Sequence, residues 1–428
     1  MNEAKEILVY ADWEGLEASQ FIGTLFSMFV RGKEIFSFEY DRQWLQSPLA
    51  QEIDPDLGIY SGRQYLREEK NNFGVFLDSS PDRWGRVLME RRESILARME
   101  NRPCRNLTES DFLLGVFDKH RMGALRFKEA ASGMFLNDNT HFSTPPWTSI
   151  RELEHASYQL ENNRIKNDAE HLKWLSMLLA PGASLGGARP KAGVMDANGT
   201  LWIAKFPSKD DRYDVGAWEM VCNELAQKAG LNVAQAMAKR FYGTYHTFLT
   251  KRFDRTAQGK RLHFASAMTL LGYIDGTGAQ EGVSYLELVA FIIQKGANVA
   301  QDLEELFRRI VFSICVSNTD DHLRNHGFLL TASGWVLSPA YDINPNPYRG
   351  GLKLNISAHD NSLNLDLAAE VAPFFRLTDE TAAKIIENTV NAVAKWREMA
   401  IKYKISREEQ ERMSVAFSAV YLCRKFHN

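Results

Sequence analysis

The segment Ser317-Asn318-Thr319-Asp320-Asp321-His322-Leu323-Arg324-Asn325-His326-Gly327-Phe328-Leu329-Leu330 decides the fold of this chain of 428 residues. It follows a strongly amphipathic segment and leads into an apolar one. Asp320 precedes Asn325 by five positions, and a second acid, Asp342, follows a predicted pair of short strands. Acidic and amide residues also cluster in ordinary turns, so this segment alone leaves both a turn and a catalytic loop open.

The same spacing is what phosphoryl transfer of the protein-kinase type requires. In that chemistry the first acid accepts or orients the proton of the attacking hydroxyl, and the Asn and the later acid hold Mg²⁺ against the phosphates. This interpretation assigns the base to Asp320 and the metal ligands to Asn325 and Asp342. Supporting residues elsewhere in the chain must decide between the two interpretations.

Composition excludes several classes of protein. The length allows two or three hydrophobic cores, and a net charge of −3 provides no overall basic field for nucleic acid. No apolar run approaches the roughly 20 residues of a membrane span, and the N-terminus lacks the apolar core of a signal peptide. The four cysteines lie far apart without a CxxC pair, which is typical of reduced thiols. We therefore expect a cytoplasmic enzyme without a membrane partner.

A β-rich half is followed by an α-rich half. Short β-like runs before residue 46 predict a small sheet, Ser80 and Pro81 predict a helix start, and residues 130–148 read as a linker. Two helices are expected over 150–180 and a hairpin turn at Asn198-Gly199. Beyond these we expect a helix over Tyr213–Ala229, strands over Met237–Tyr242 and Thr247–Thr250, and helices over Tyr285–Gln294, Gln301–Val316, Thr378–Lys402 and Glu408–Arg424.

A Gly-rich loop precedes the predicted hairpin in Ser184-Leu185-Gly186-Gly187-Ala188-Arg189-Pro190-Lys191. Glycines let backbone N–H groups approach phosphate oxygens closely, and Lys191 adds positive charge. The loop is not a Walker A motif, because Ala188 stands where that motif requires Lys. Taken alone, a Gly-Gly pair is more often a tight turn without a ligand.

Lys205 lies inside the predicted strand Leu201–Phe206 between apolar neighbours. A buried ammonium needs a carboxylate or phosphate partner, since leaving it unpaired costs several kcal/mol. Glu224, nineteen residues later in a predicted helix, matches the Lys–Glu pair that supports nucleotide phosphates in kinases. The alternative is an edge-strand lysine that points to water.

Two further groups of residues allow a structural interpretation as well as a functional one. Asp82, Arg83 and Trp84 form either a ligand site or, as we favour, a buried ion pair under a helix start. His322 and His326 form either a metal site or a brace for the loop, and the brace is favoured because the zincin pattern is missing.

The chain resembles HipA-like serine/threonine kinases, the toxin halves of bacterial HipA/HipB toxin–antitoxin modules. The resemblance rests on motifs that occur in family order over essentially the whole chain. They are Phe76–Arg86, Ser184–Ala192, Asn223-Glu224, Arg252–Arg255, Asn318–Asn325 and Pro339–Asp342.

The resemblance implies an α+β fold of the protein-kinase type, two-lobed, with a β-rich N-lobe, a helical C-lobe and an extra N-terminal α+β subdomain. The expected domains are 1–135, 150–255 and 256–428. ATP and Mg²⁺ are the implied cofactors. The implied site comprises catalytic Asp320 and Lys205, metal ligands Asn325 and Asp342, supporting Glu224, and ATP contacts from Ser184, Gly186, Gly187, Ala188, Lys191, Lys251, Phe253 and His322.

The resemblance also implies partners and regulation. Ser184 matches the serine that family members autophosphorylate, and a helix-turn-helix antitoxin of the HipB type is the implied partner, with DNA reached only through it. The substrate would be a translation-related protein such as an aminoacyl-tRNA synthetase. Lys251 departs from the acid that the best-studied members carry at the hinge. A different class of function is a pseudokinase-like co-repressor that binds the antitoxin without turnover.

Overall fold

The computed structural model describes residues 4–67, 70–139, 145–162, 167–179, 187, 189–348 and 350–422. The chain divides into two compact units. The first unit contains Met1–Lys209 and Lys251–Ile274, and the second unit contains Asp210–Thr250 and Asp275–Asn428.

The strands, in chain order, are β1 Lys5–Ala11, β2 Gln20–Val30, β3 Lys33–Tyr40, β4 Arg63–Tyr65, β5 Leu125–Lys128, β6 Lys191–Met195, β7 Leu201–Lys205, β8 Ala236–Lys239, β9 Thr247–Lys251, β10 Phe264–Ser266, β11 Gly327–Thr331 and β12 Gly334–Leu337. The helices are α1 Arg42–Leu45, α2 Gly74–Asp78, α3 Arg83–Met99, α4 Glu109–Gly115, α5 Ile150–Glu161, α6 Asp168–Leu179, α7 Val215–Lys228, α8 Ala267–Leu270, α9 Tyr285–Lys295, α10 Val299–Val316, α11 Leu365–Val371, α12 Asp379–Val393, α13 Trp396–Lys402, α14 Arg407–Met413 and α15 Ala419–Leu422.

The first unit begins with an antiparallel sheet in the order β4-β3-β2-β1-β5. Alternating burial along β1 places Ile7, Val9 and Ala11 on the core face, as period-2 geometry requires. Phe76 of α2 packs against Phe127 of β5, with ring centroids 5.9 Å apart. The small sheet predicted from the N-terminal sequence is confirmed.

Helix α3 starts later than the sequence predicted. Its N-cap is Asp82 rather than Ser80, because the Asp82 carboxylate accepts the backbone N–H of Gly85 at 2.8 Å. Ser80 instead donates its hydroxyl to the carbonyl of Phe76 at 2.8 Å, which ends the preceding helix. The carboxylate is the stronger acceptor for an N-terminal N–H group, which explains the shift.

Strands β6 and β7 form the predicted hairpin. Asp196 stabilises its turn by accepting the N–H groups of Asn198 and Thr200, both at 2.9 Å. Gly199 has φ +78°, a left-handed value that suits glycine. The register places Lys191 directly opposite Lys205.

The second unit is built around two buried helices, α7 and α10. The core face of α10 includes Leu303, Phe307 and Ile310, all fully buried. Near the end of the chain, the rings of Trp396 and Phe417 stack with centroids 4.5 Å apart.

Two long helices predicted near the C-terminus are each broken. Thr378–Lys402 contains α12 and α13, and the described part of Glu408–Arg424 contains α14, a 3₁₀ turn and α15. Trp396 begins α13 and is fully buried against Trp218 and Phe417. Burial of this large ring therefore outweighs the continuous helical pattern of the sequence.

Across the described ranges, no helix combines the length and the apolar character needed to cross a bilayer. Cys104, Cys222 and Cys315 are free thiols, and Cys104 is exposed.

Candidate functional site

The predicted catalytic loop begins with a sharp turn at the end of α10. Ser317 caps this helix in the left-handed region, with φ 51° and ψ 49°, and its hydroxyl donates to the carbonyl of Ala416 at 2.8 Å. The N–H of Asn318 bonds back to the carbonyl of Ser313 at 2.9 Å. A non-glycine residue in this conformation costs of order 1–3 kcal/mol and persists only where surrounding contacts hold it.

The two neighbouring acids of the loop have different environments. Asp320 is exposed, whereas Asp321 is 5% exposed and accepts the hydroxyl of Tyr285 at 2.6 Å. The imidazole Nε2 of His326 lies 3.1 Å from Asp321 Oδ1. Burial alone would raise the pKa of Asp321, but His326 and Tyr285 outweigh it, so this pKa is below its usual value. Asp321 and His326 therefore brace the loop, and Asp320 is the acid that faces solvent.

Asn325 ends a 3₁₀ turn that follows Asp320 in the chain. Its side-chain amide donates to the carbonyl of Asp320 at 3.1 Å. Its Oδ1 atom is buried and has no hydrogen-bond partner among the described residues, and the same holds for Nδ1 of His322. A buried acceptor without a partner is unusual and indicates a missing donor or cation.

Asp342 is attached to the same loop by its neighbours. The hydroxyl of Tyr341 donates to the carbonyl of Arg324 at 2.7 Å, and the amide of Asn346 donates to the Thr319 hydroxyl at 2.5 Å. Asp342 itself has φ 58°. The hairpin of β11 and β12 thus returns the chain to the loop, and the second unit brings Asp320, Asn325 and Asp342 into one region.

The oxygen atoms in this region suit a hard cation such as Mg²⁺. Asn344, which the sequence analysis missed, donates its amide to Asp342 Oδ1 at 3.3 Å, and its own Oδ1 is buried without a partner in the described part of the chain. Carboxylate and amide oxygens are ligands that Mg²⁺ accepts when waters and substrate phosphates complete its octahedron. Among the described residues no group of three or more His, Cys, Asp or Glu side chains is placed to hold a metal ion. The donor set therefore fits an ion shared with a phosphate ligand.

In the first unit, Lys205 ends β7 and is 8% exposed. Lys191 stands opposite to it on β6 and is 2% exposed. The Lys191 ammonium lies 2.5 Å from the carboxylate of Asp82 and donates to the carbonyl of Gly187 at 3.1 Å. A buried ion pair under the start of α3 is thereby confirmed, but its cation is Lys191, since Arg83 is exposed.

Much of the Gly-rich loop lies outside the described residues, including Ser184, Gly186 and Ala188. Gly187 is exposed and has φ +77°. Only glycine adopts this conformation at little cost, so the backbone here has the freedom that phosphate contact requires.

The predicted hinge residues follow β9. Lys251 and Phe253 are half-buried and alternate with the buried residues Arg252 and Asp254. The alternating burial, together with the 2.8 Å hydrogen bond from Arg252 to Asp254, places the first pair on one face and the second pair on the other. Lys251 and Phe253 are therefore the more exposed pair of this segment.

The opposite face of this segment is fixed by a buried charge network. The Asp254 carboxylate lies 2.6 Å from both Arg252 and Arg255 and accepts the N–H of Gly123 at 2.9 Å. Burial opposes ionisation, but the two guanidinium groups hold the pKa of Asp254 well below its usual range. The network anchors the hinge segment to the loop before β5.

Glu224 does not have the environment predicted for it. Its carboxylate accepts Lys402 Nζ at 2.6 Å and the hydroxyl of Tyr403, so its contacts lie in and beside α13. Glu219 of the same helix is 4% exposed and is the more buried acid. Because α7 is buried on nearly all sides, its apolar pattern gives no unique inner face, and periodicity does not distinguish Glu219 from Glu224.

Comparison with known proteins identifies related chains. Residues 183–397 match the family model described as the HipA-like C-terminal domain. A Haemophilus influenzae protein described as a kinase is 29% identical over 153 residues, 33% of this chain and 45% of that protein. The Shewanella oneidensis serine/threonine-protein kinase toxin HipA is 27% identical over 188 residues, 38% of this chain and 43% of that protein. The chain thus spans less than half the length of these two curated relatives.

A solved structure covers nearly the whole chain. It is that of the Shewanella oneidensis toxin–antitoxin system HipA, HipB and its operator DNA, and the similarity has a TM-score of 0.67 at 19% identity. The match covers 98% of this chain and 97% of that chain. The α+β fold of the protein-kinase type that the sequence predicted is confirmed.

Proposed function

This chain belongs to the HipA-like family, whose model covers half of it, and from this premise we propose that it is an ATP-dependent protein serine/threonine kinase. One observation carries the proposal: the loop after α10 exposes Asp320 beside Asn325, whose buried Oδ1 has no partner among the described residues. The name of the Shewanella oneidensis relative supports serine/threonine kinase activity, and that of the Haemophilus influenzae relative supports kinase activity alone.

In this proposal, Asp320 acts on the attacking hydroxyl. Its carboxylate accepts the proton of a Ser or Thr side chain while the hydroxyl oxygen bonds to the γ-phosphorus and the bond to the ADP oxygen breaks. Asp321, Tyr285 and His326 hold the loop that carries Asp320, so the base needs little reorganisation when substrate binds.

The remaining residues bind the nucleotide. Asn325 and Asp342 would hold Mg²⁺, which when bound neutralises charge on the phosphates. Lys205, Lys191 and the backbone of Gly186, Gly187 and Ala188 are assigned to the phosphates, and Ser184 and His322 are also assigned to nucleotide binding. The shared face of Lys251 and Phe253 is assigned to the adenine. Glu219 replaces Glu224 as the acid proposed to support the phosphate-binding residues, since it is the buried carboxylate of α7.

The biological setting is proposed from the relatives. The Shewanella oneidensis structure contains HipA with HipB and operator DNA, which supports a HipB-like antitoxin as the partner and DNA contact only through it. As a toxin of this kind, the chain would phosphorylate a translation-related protein such as an aminoacyl-tRNA synthetase and autophosphorylate on Ser184.

The test is the intact mass of the purified chain after incubation with Mg-ATP. We expect the wild type to gain 80 Da, about the mass of one phosphate group added by the phosphoryl transfer proposed. Asp320→Asn and Ser184→Ala should each abolish the gain, the first by removing the base and the second by removing the acceptor.

The two variants separate the parts of the proposal. Equal phosphate on the Asp320 variant would refute the assignment of the base. Phosphate on Ser184→Ala but not on Asp320→Asn would keep the kinase and move the acceptor. Binding of a helix-turn-helix partner without any ATP turnover would instead favour the co-repressor function.

A further inference from the structure

Two buried lysines lie on the same face of the β6–β7 hairpin. Lys191 and Lys205 are direct cross-strand partners, so their side chains leave the sheet on the same side. Directly opposite residues have Cβ atoms about 4.5–5.5 Å apart, and like charges at such positions are destabilising. The hairpin therefore needs a compensating acid close to these ammonium groups.

Asp82 supplies a carboxylate to one of the two lysines. The side chains of Asp82 and Lys191 are 3% and 2% exposed, and the ammonium lies 2.5 Å from the carboxylate. Asp82 is itself fixed, because its other oxygen accepts the N–H of Gly85 at the start of α3. A carboxylate held by a helix start is a rigid partner and does not depend on a flexible side chain.

The same ammonium also contacts the Gly-rich loop. Lys191 Nζ donates to the carbonyl of Gly187 at 3.1 Å. Gly187 has φ +77°, so its own backbone conformation is permissive and needs external contacts to become fixed. Asp82, Lys191 and Gly187 form a continuous chain of contacts from α3 to this loop.

We propose that Asp82 is a positioning residue for nucleotide binding: it holds the Lys191 ammonium, which in turn fixes the Gly187 carbonyl beside the strand that carries Lys205. The inference rests on the kinase function proposed above. It assigns to the N-terminal part of the first unit a direct role in ordering the phosphate-binding elements, a role that motif spacing alone did not indicate.

Asp82→Asn is the informative variant. Asn is as good a helix N-cap as Asp, so α3 keeps its start, while Lys191 loses the negative charge that Asp82 places beside it. We expect KM for ATP to rise by about tenfold, the equivalent of about 1.4 kcal/mol. The value of kcat should change by less than about twofold, because the contact acts on binding and not on the proton transfer at Asp320.

Asp41→Asn is the matched control. Asp41 is also a helix N-cap of the first unit, accepting the N–H groups of Gln43 and Trp44 at 2.9 and 3.1 Å. This variant should leave KM unchanged. In the double variant Asp82→Asn/Lys191→Met, KM for ATP should rise no more than in the single variant with the larger effect, since the two residues act as a unit.

The outcomes distinguish this inference from the kinase proposal. If the wild type neither binds ATP in titration calorimetry nor transfers phosphate, the proposed function fails. If the wild type is active and Asp82→Asn keeps its KM, the positioning role is overturned. If Asp82→Asn does not fold, the double variant is measured instead, because it buries no unmatched ammonium at position 191. A wild-type KM for ATP in the double variant overturns the proposal.

Discussion

Adjacent acids in one loop offer a sharp test of the site. Asp320 is exposed and Asp321 is buried, although they are neighbours in sequence and chemically identical. Replacing each by Asn removes one charge at nearly constant volume. We expect Asp320→Asn to abolish phosphate transfer with little change in stability. For Asp321→Asn we expect the main effect to be a loss of stability.

The magnitude for Asp321→Asn follows from its contacts. The variant weakens the 2.6 Å hydrogen bond from Tyr285 and removes the charge beside His326. Hydrogen bonds to buried charged groups contribute roughly 1.5–3 kcal/mol. For a unit of this size, a loss of about 2–3 kcal/mol lowers Tm by roughly 4–12 °C. At exposed Asp320 the expected change is within about 0.5 kcal/mol, whereas loss of a general base costs about 10²–10⁴ in rate.

The assay pairs thermal unfolding with phosphate transfer on the same protein samples. Because the pKa of Asp321 is depressed in the folded state, its stabilisation is present above the unfolded value near 3.9 and is lost as pH falls through the folded pKa. The difference in stability between wild type and Asp321→Asn should therefore shrink below about pH 4. Equal Tm values for both variants at pH 7, or full transfer by Asp320→Asn, would refute the reasoning.

Two further predictions concern buried groups. Glu219→Gln should lower the rate of phosphate transfer at least about tenfold. Glu224→Gln loses contacts to the exposed Lys402 and to Tyr403, and its rate should stay within about twofold of the wild type. The two rates are measured in parallel, and the reverse order would make Glu224 the supporting acid. Burial lowers the pKa of His263 to about 3, so the unfolded chain takes up the proton first as pH falls below the usual 6.5. Because of His263, the free energy of unfolding of the wild type should fall by about 1.4 kcal/mol per pH unit between about pH 6 and 4. The His263→Phe variant should lack this slope when unfolding is measured by urea titration. Identical slopes for the two proteins would contradict the prediction.

The sequence predicted those elements whose signals are local. The β6–β7 hairpin follows from an Asn-Gly turn between two β-like runs, and α10 follows from a long amphipathic pattern with a strand pair after it. The N-terminal sheet was likewise predicted from short alternating runs. The spacing of Asp320, Asn325 and Asp342 is also local enough to be recognised as a set.

Local signals were insufficient where a distant side chain decides the outcome. A helix was predicted to continue through Lys395, but burial of Trp396 against Phe417 breaks it. Ser80 was predicted as the cap of α3, but Asp82 takes that place and also pairs with Lys191, 109 positions later. Periodicity contains no information on such contacts.

The sequence by itself determined the order of the elements, the family and the residue types that phosphoryl transfer needs, because these depend on spacing along the chain. Only the tertiary structure decided which acid of each candidate pair is buried: Asp321 and not Asp320, and Glu219 more than Glu224. The physical reason is that neighbouring carboxylates are equivalent in sequence. Only the packing around each carboxylate sets its dielectric environment and its hydrogen-bond donors, and these distinguish a structural charge from a reactive one.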